Sequence, residues 1–187
     1  MEVVGAIIIR AFFAFLPAYI GNMMPVIVYK IPVFKRLFNA RIDCGLNLNH
    51  QPLFGEGKTW MGLFCGFVGG IIGGYFLFLY LSITRQINSS ESDIILVMDL
   101  LYGGIIGFGA LIGDLVKSFF KRRLGIASGK PWIIFDQIDL IVGAYIFSFL
   151  IYPIPITYFL IALVITPPLH LGTNYLAYKL KLKKVWW

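Results

Sequence analysis

The sequence predicts an all-α, polytopic membrane protein with about five transmembrane helices. Three observations carry that expectation. Of the 187 residues, 59% are hydrophobic and only 13% charged, with a mean hydropathy of +0.83, whereas soluble domains carry about 25% charge. Several stretches exceed the roughly 18 apolar residues that mark a membrane span. The basic residues also collect in a few segments between those stretches.

Span one runs from about Val3 to Tyr29. It follows Met1-Glu2 and stays apolar well beyond Phe13, so the basic n-region and short core of a cleaved signal peptide are not expected. Span two covers about Thr59 to Thr84 and carries Gly62, Gly66, Gly70 and Gly74 at four-residue spacing. Span three covers about Ile94 to Phe119, with the pairs Gly103/Gly107 and Gly109/Gly113. Such small-xxx-small patterns let helix backbones approach closely, which would bring spans two and three together. Span four covers about Ile133 to Tyr152 and span five about Ile154 to Leu176. Tyr152-Pro153-Ile154-Pro155 makes a tight reversal between them, because some 44 apolar residues cannot form one span.

Orientation follows from the cations. Lys30, Lys35, Arg36, Arg41 and Lys58 follow span one; Lys117, Lys121, Arg122, Arg123 and Lys130 follow or end span three; Lys179, Lys181, Lys183 and Lys184 form the tail. Five spans put these 14 of the 16 basic residues on one side. The N-terminus is then outside and the C-terminus cytoplasmic, with cytoplasmic loops at about 30–58 and 120–132 of a single integral membrane domain, 1–187. The net charge of +7 is mostly this topology signal, and no nucleic-acid partner is expected. Cys44 and Cys65 lack metal or redox spacing, and a disulfide between a polar loop and a span is not expected. His50 reads as a loop residue and His170 as a packing or interfacial one.

The stretch GDLVKSFFKRRLGIASGKPWIIFDQIDLIVG, 113–143, carries the chemistry. Asp114, Lys117, Ser118 and Lys121 stand at i, i+3, i+4 and i+7, one helical face, with Arg122 beside it. Beyond a loop containing Gly125, Gly129 and Pro131, Asp136 and Asp139 share a face at the start of span four. Clustered carboxylates suit Mg²⁺, which takes one or two of them together with substrate phosphates, and adjacent Lys and Arg suit the phosphate oxygens. A salt-bridge network closing that face of the protein is the competing reading. In the other loop, LFGEGKTWMG (53–62) sets Gly55 and Gly57 before Lys58 and Thr59. It is no Walker A loop, yet a Lys-Thr pair at a helix N-terminus is placed to hold phosphate. Asn22, an amide within LPAYIGNMMP, is either an interhelical hydrogen bonder or a substrate contact.

Together LPAYIGNMMP, FGEGKTWMG, GDLVKSFFKRRLGIASGKP and DQID resemble the archaeal CDP-archaeol synthases, within the CTP-dependent lipid cytidylyltransferases that include the CDP-diacylglycerol synthases. The blocks stand in the family's order over most of the chain. The resemblance implies that CTP and an unsaturated archaetidic acid, a glycerol phosphate with two ether-linked geranylgeranyl chains, give the CDP-activated lipid and pyrophosphate. It implies Mg²⁺ near Asp114, Asp136 and Asp139, and a catalytic set of Asp114, Lys117, Lys121, Arg122 and Asp139. Asn22, Lys58, Thr59, Ser118, Arg123 and Gln137 are then substrate-binding. Family members often have a basic residue where this chain has Met61, so no basic contact is expected there. The partners implied are CTP, the lipid phosphate and the surrounding membrane lipids of a cell membrane. Alternatives are a CTP-dependent lipid kinase, or a non-enzymatic transporter or lipid-binding protein; no internal repeat of a transporter is visible.

Overall fold

Five long helices account for most of the chain, and their ends lie within a few residues of the predicted spans. The computed structural model describes residues 2–85, 92–132, 134–182 and 185. Helix α1 spans Glu2–Val28, α2 Pro32–Lys35, α3 Trp60–Arg85, α4 Ser92–Arg123, α5 Phe135–Ser148 and α6 Ile156–Lys179. A 3₁₀ turn, Arg36–Asn39, and a two-stranded hairpin, β1 (Asn47–Leu48) and β2 (Gln51–Pro52), fold the loop after α1. The chain is a helical, multi-pass membrane protein: α1, α3, α4 and α6 are each long and apolar enough to cross a bilayer. The fourth predicted span is α5, whose 14 residues rise about 21 Å, shorter than a hydrocarbon core of about 30 Å. Lys183 and Lys184 of the basic tail, and Ile133 at the predicted start of span four, lie outside the described residues.

α4 is the central helix, packed against α1, α3 and α5. A core of Phe15 and Ala18 from α1, Ile106 and Ala110 from α4, Leu140, Ile141 and Ala144 from α5, with Ile154 and Ala162, fills the middle. Since lipid tails are as apolar as leucine, close backbone packing rather than burial from water holds membrane helices together. The glycines supply it. A Cβ on Gly70 would lie 2.1 Å from the carbonyl oxygen of Gly103, so α3 and α4 touch backbone to backbone. Gly109 and Gly113, grouped above with the α3-facing pair, instead meet α5: Gly113 faces the Asp139 carbonyl and Gly109 the Gly143 carbonyl.

The polar segments gather at one end of the bundle. Lys30, just beyond α1, donates to the carbonyl of Lys181 beyond α6 at 3.1 Å, and Arg123 at the end of α4 reaches the hairpin. The hairpin turns on Asn49 and His50, both at positive φ (51° and 61°), the pattern of a two-residue type I′ turn. His50 is therefore a loop residue, as predicted. Cys44 and Cys65 are free thiols, the first exposed and the second buried.

Candidate active site

A cavity of about 480 Å³ opens at this polar end, walled by α1, α3, α4, α5, α6 and both loops. α4 brings Asp114, Lys117, Ser118, Lys121 and Arg122 into it. The charged run stays helical past the predicted boundary and stops where Gly125, at φ +71°, ends the helix. Gly125 N–H bonds the Arg122 carbonyl and Ile126 N–H the Lys121 carbonyl, the Schellman arrangement that glycine at this position favours. α5 contributes Asp136 and Asp139, and the tight α4–α5 contact at Gly113 sets them beside Asp114.

Lys117 stands at the centre. Its Nζ lies 2.8 Å from Asp114 Oδ1, 2.9 Å from Asp136 Oδ1 and 2.7 Å from Asp139 Oδ2, and its side chain is 12% exposed. Lys58 closes on the other oxygen of Asp114. Lys121 bridges Asp136, 3.2 Å from either oxygen, and the carbonyl of Lys130 at 2.6 Å, tying the 124–131 loop to α4 and α5. Three carboxylates and three ammonium groups thus balance in charge. Arg122 also lines the cavity, but among the described residues it has no ion-pair partner, and its buried Nε has no hydrogen-bond acceptor. That leaves a guanidinium for an incoming anion.

The Lys-Thr pair is in place. Thr59 Oγ1 accepts the Gly62 N–H at 3.1 Å and so caps α3, while its own hydroxyl proton stays available to a phosphate. Asn22 lines the cavity from α1. Ser118 does too, but its hydroxyl donates to the Asp114 carbonyl at 2.8 Å, one turn back along the helix. Arg123 and Gln137 are not among the lining residues. Arg123 donates to the carbonyls of Leu48 at 2.9 Å and Pro52 at 2.7 Å and so fastens the hairpin to α4.

Among the described residues, no group of three acidic, histidine or cysteine side chains could hold a metal ion as it stands, because Lys117 occupies the point on which the carboxylates converge. The donors themselves are hard oxygens of the kind Mg²⁺ takes, and one or two suffice when phosphates complete the shell. The residues present therefore fit such an ion once Lys117 turns to another anion.

Other lining residues were given no part in the site from sequence, among them His170, Asn174 and Phe54. His170 and Asn174, one turn apart on α6, face the cavity, although His170 read as a packing or interfacial residue. An amide in an apolar helix is the signal that marked Asn22, and it applies equally to Asn174. Phe54 lines the cavity from the 53–62 loop. Behind that loop, Asp43, 2% exposed, accepts the N–H groups of Gly45, Phe54 and Gly55. Burial alone would push its carboxyl up; these bonds and nearby Arg41 hold it below the usual carboxylate value instead.

The model of the CarS-like CDP-archaeol synthase family matches residues 4–187. A CDP-archaeol synthase of Methanococcus aeolicus is 36% identical, with 97% of each chain aligned. One of Pyrococcus furiosus is 37% identical over 96% of this chain and 98% of its own. A solved structure, described as an intramembrane enzyme for archaeal membrane lipids biosynthesis, superposes with a TM-score of 0.69 at 32% identity, covering 89% of this chain and 94% of the other. A match that runs from the first apolar turn to the last residue, with relatives more than a third identical along almost their full length, means that the chain belongs to the CDP-archaeol synthase family.

Proposed function

We propose that this membrane enzyme transfers CMP from CTP to the phosphate of an unsaturated archaetidic acid, giving a CDP-activated ether lipid and pyrophosphate. The observation that carries this reading is the meeting of Asp114, Asp136 and Asp139 with Lys58, Lys121 and Arg122 around one cavity at the polar end of the bundle. The whole chain, 1–187, acts as one catalytic unit, with that end facing the cytoplasm, where the nucleotide is, and the lipid chains remaining among the helices' apolar surroundings.

A phosphate monoester has a second pKa near 6 and is largely dianionic at neutral pH. The lipid phosphate oxygen is therefore already a nucleophile, and no side chain need remove a proton from it. The obstacle is repulsion between two polyanions. Lys58, Lys121 and Arg122 offset it by binding phosphate oxygens, and Lys117 joins them when it leaves the carboxylates. Fixed cations aimed at the developing charge stabilise the transition state without reorganising. Thr59 and Asn22 orient the phosphates and nucleotide by hydrogen bonds. Mg²⁺ held by Asp114, Asp136 and Asp139 would add positive charge against the reacting and departing phosphates. The lipid oxygen bonds the α-phosphorus as the bond to the bridging oxygen of pyrophosphate breaks.

Purified enzyme supplied with Mg²⁺, an unsaturated ether-lipid phosphate and CTP labelled at the α or the γ phosphorus tests this. Label from the α position enters lipid; label from the γ position alone would make the protein a kinase and overturn the reading.

A further inference from the structure

We infer that Asp43, outside the cavity, is a positioning residue that holds Lys58 at the reacting phosphates. The inference rests on the reading of Lys58 as a phosphate contact. The loop between α1 and α3 is closed at its base by pairing of its two ends: Ile42 N–H bonds the Lys58 carbonyl at 3.0 Å and Trp60 N–H the Ala40 carbonyl at 3.1 Å. Everything between, residues 43–57, is an excursion with little apolar burial to shape it. Asp43 sits at its neck. One carboxylate oxygen accepts the Gly45 N–H at 3.0 Å and turns the chain outward. The other accepts the Phe54 and Gly55 N–H groups, each at 3.2 Å, and receives the chain on its return.

Gly55 is where the fastening becomes functional. Its φ of +104° is a conformation that only glycine adopts without strain, and its carbonyl accepts the Lys58 N–H at 3.2 Å. A turn from Gly55 to Lys58 thus starts at the residue Asp43 grips and ends at the residue whose ammonium reaches Asp114. Gly55 also borders the second loop: a Cβ there would stand 3.5 Å from Ser128 Oγ. A lysine on an unfastened loop would sweep many rotamers; on this one it points at a single place, and less entropy is lost when phosphate binds.

The test is lysine reactivity in the full-length, detergent-purified protein without nucleotide. A water-soluble acylating reagent labels each lysine through the fraction present as free amine, expelling the reagent's leaving group, and peptide mass spectrometry gives the rate at each. In Asp43→Ala, the Lys58 rate is expected to rise about tenfold, with Lys117 and Lys121, held by the α4–α5 contact, unchanged. Asp43→Asn, which keeps one acceptor, gives an intermediate Lys58 rate. An unchanged Lys58 rate overturns the inference. Should Asp43→Ala expose all three lysines, Asp43→Asn decides: a rise at Lys58 alone supports the inference, and a rise at all three or at none overturns it. Labelling needs neither CTP nor turnover, so it stands apart from the proposed chemistry. A freed Lys58 with an unaltered KM for CTP would uphold Asp43's role and overturn Lys58's.

Discussion

Gly113 lies so close to Asp139 that a Cβ on it would stand 2.2 Å from the Asp139 carbonyl oxygen. This contact sets the separation of α4 from α5, and with it the distance from Asp114 to Asp139. Backbone cannot yield as a flexible side chain does. Gly113→Ala should therefore push the helices apart, lower stability by about 1–3 kcal/mol and reduce turnover by more than its thermal melting explains. Gly172→Ala is the control, since nothing lies within 4 Å of a Cβ there; its activity should match the parent and its melting should be unchanged or higher, alanine being the better helix former. Equal behaviour of the two variants would remove the role assigned to the Gly113 contact.

On the proposed reading, displacement of Lys117 from the carboxylates makes metal entry depend on the nucleotide. In the resting site three carboxylates face the ammonium groups of Lys58, Lys117 and Lys121, so a dication arriving alone meets a balanced cluster with its central point taken. On that reading a triphosphate would change this by offering Lys117 another anion. Lys117→Met should bind Mn²⁺ without nucleotide at least about tenfold more tightly than the parent, read from loss of the free-ion electron paramagnetic resonance signal, because the carboxylates then lack their shared partner. Lys117→Gln guards against misfolding of the first variant. No gain of affinity in either folded variant would rule out displacement of Lys117 as the gate.

Asp139→Asn removes one of those carboxylates and leaves Asp114 and Asp136 on Lys117. The Asp139 side chain is 7% exposed and belongs to the charged centre rather than the apolar core, so the protein should still insert and fold while turnover is abolished. A folded Asp139→Asn sample with near-parent activity would eliminate the carboxylate's part in holding the ion.

What was legible in the sequence follows from the range of the forces involved. Span limits come from local hydropathy, and α1, α3, α4 and α6 were readable to within a few residues. The face shared by Asp114, Lys117, Ser118 and Lys121 follows from helical periodicity alone. Two things were not local. Gly109 and Gly113 carry the same spacing as Gly103 and Gly107, and nothing in that spacing says that one pair meets α5 and the other α3. Asp43 works through N–H groups eleven and twelve residues away, a partnership set by how the loop closes. Arg123 illustrates the same limit: next to Arg122 in a basic run, it points outward to the hairpin while its neighbour lines the cavity. Consecutive helical positions are about 100° apart, so adjacency in the run carries no common role.

The Asp43 carboxyl also predicts an acid dependence. Its folded-state pKa lies below the ordinary value of 3.8, so the ionised form stabilises the fold. That contribution is fully present above the unfolded value and is lost as pH falls through the folded one. The melting temperature of the parent should exceed that of Asp43→Asn by a constant amount between about pH 5 and pH 8, with the gap closing below about pH 4. A gap that persists unchanged into acid would mean that the charge on Asp43 does not matter.

Arg122 and Arg123 should separate cleanly under substitution. Arg122 has a buried Nε without an acceptor among the described residues and no carboxylate to leave behind, so Arg122→Gln should melt close to the parent. Loss of a charge-assisted contact to phosphate should raise KM for CTP about tenfold or more. Arg123→Gln gives up bonds to the Leu48, Gln51 and Pro52 carbonyls that fasten the hairpin to α4. Limited proteolysis should cut this variant faster within residues 44–52, with the helices protected. If instead Arg123→Gln raises KM for CTP while the hairpin stays protected, Arg123 contacts substrate directly, and its bonds to the hairpin are those of the nucleotide-free state alone.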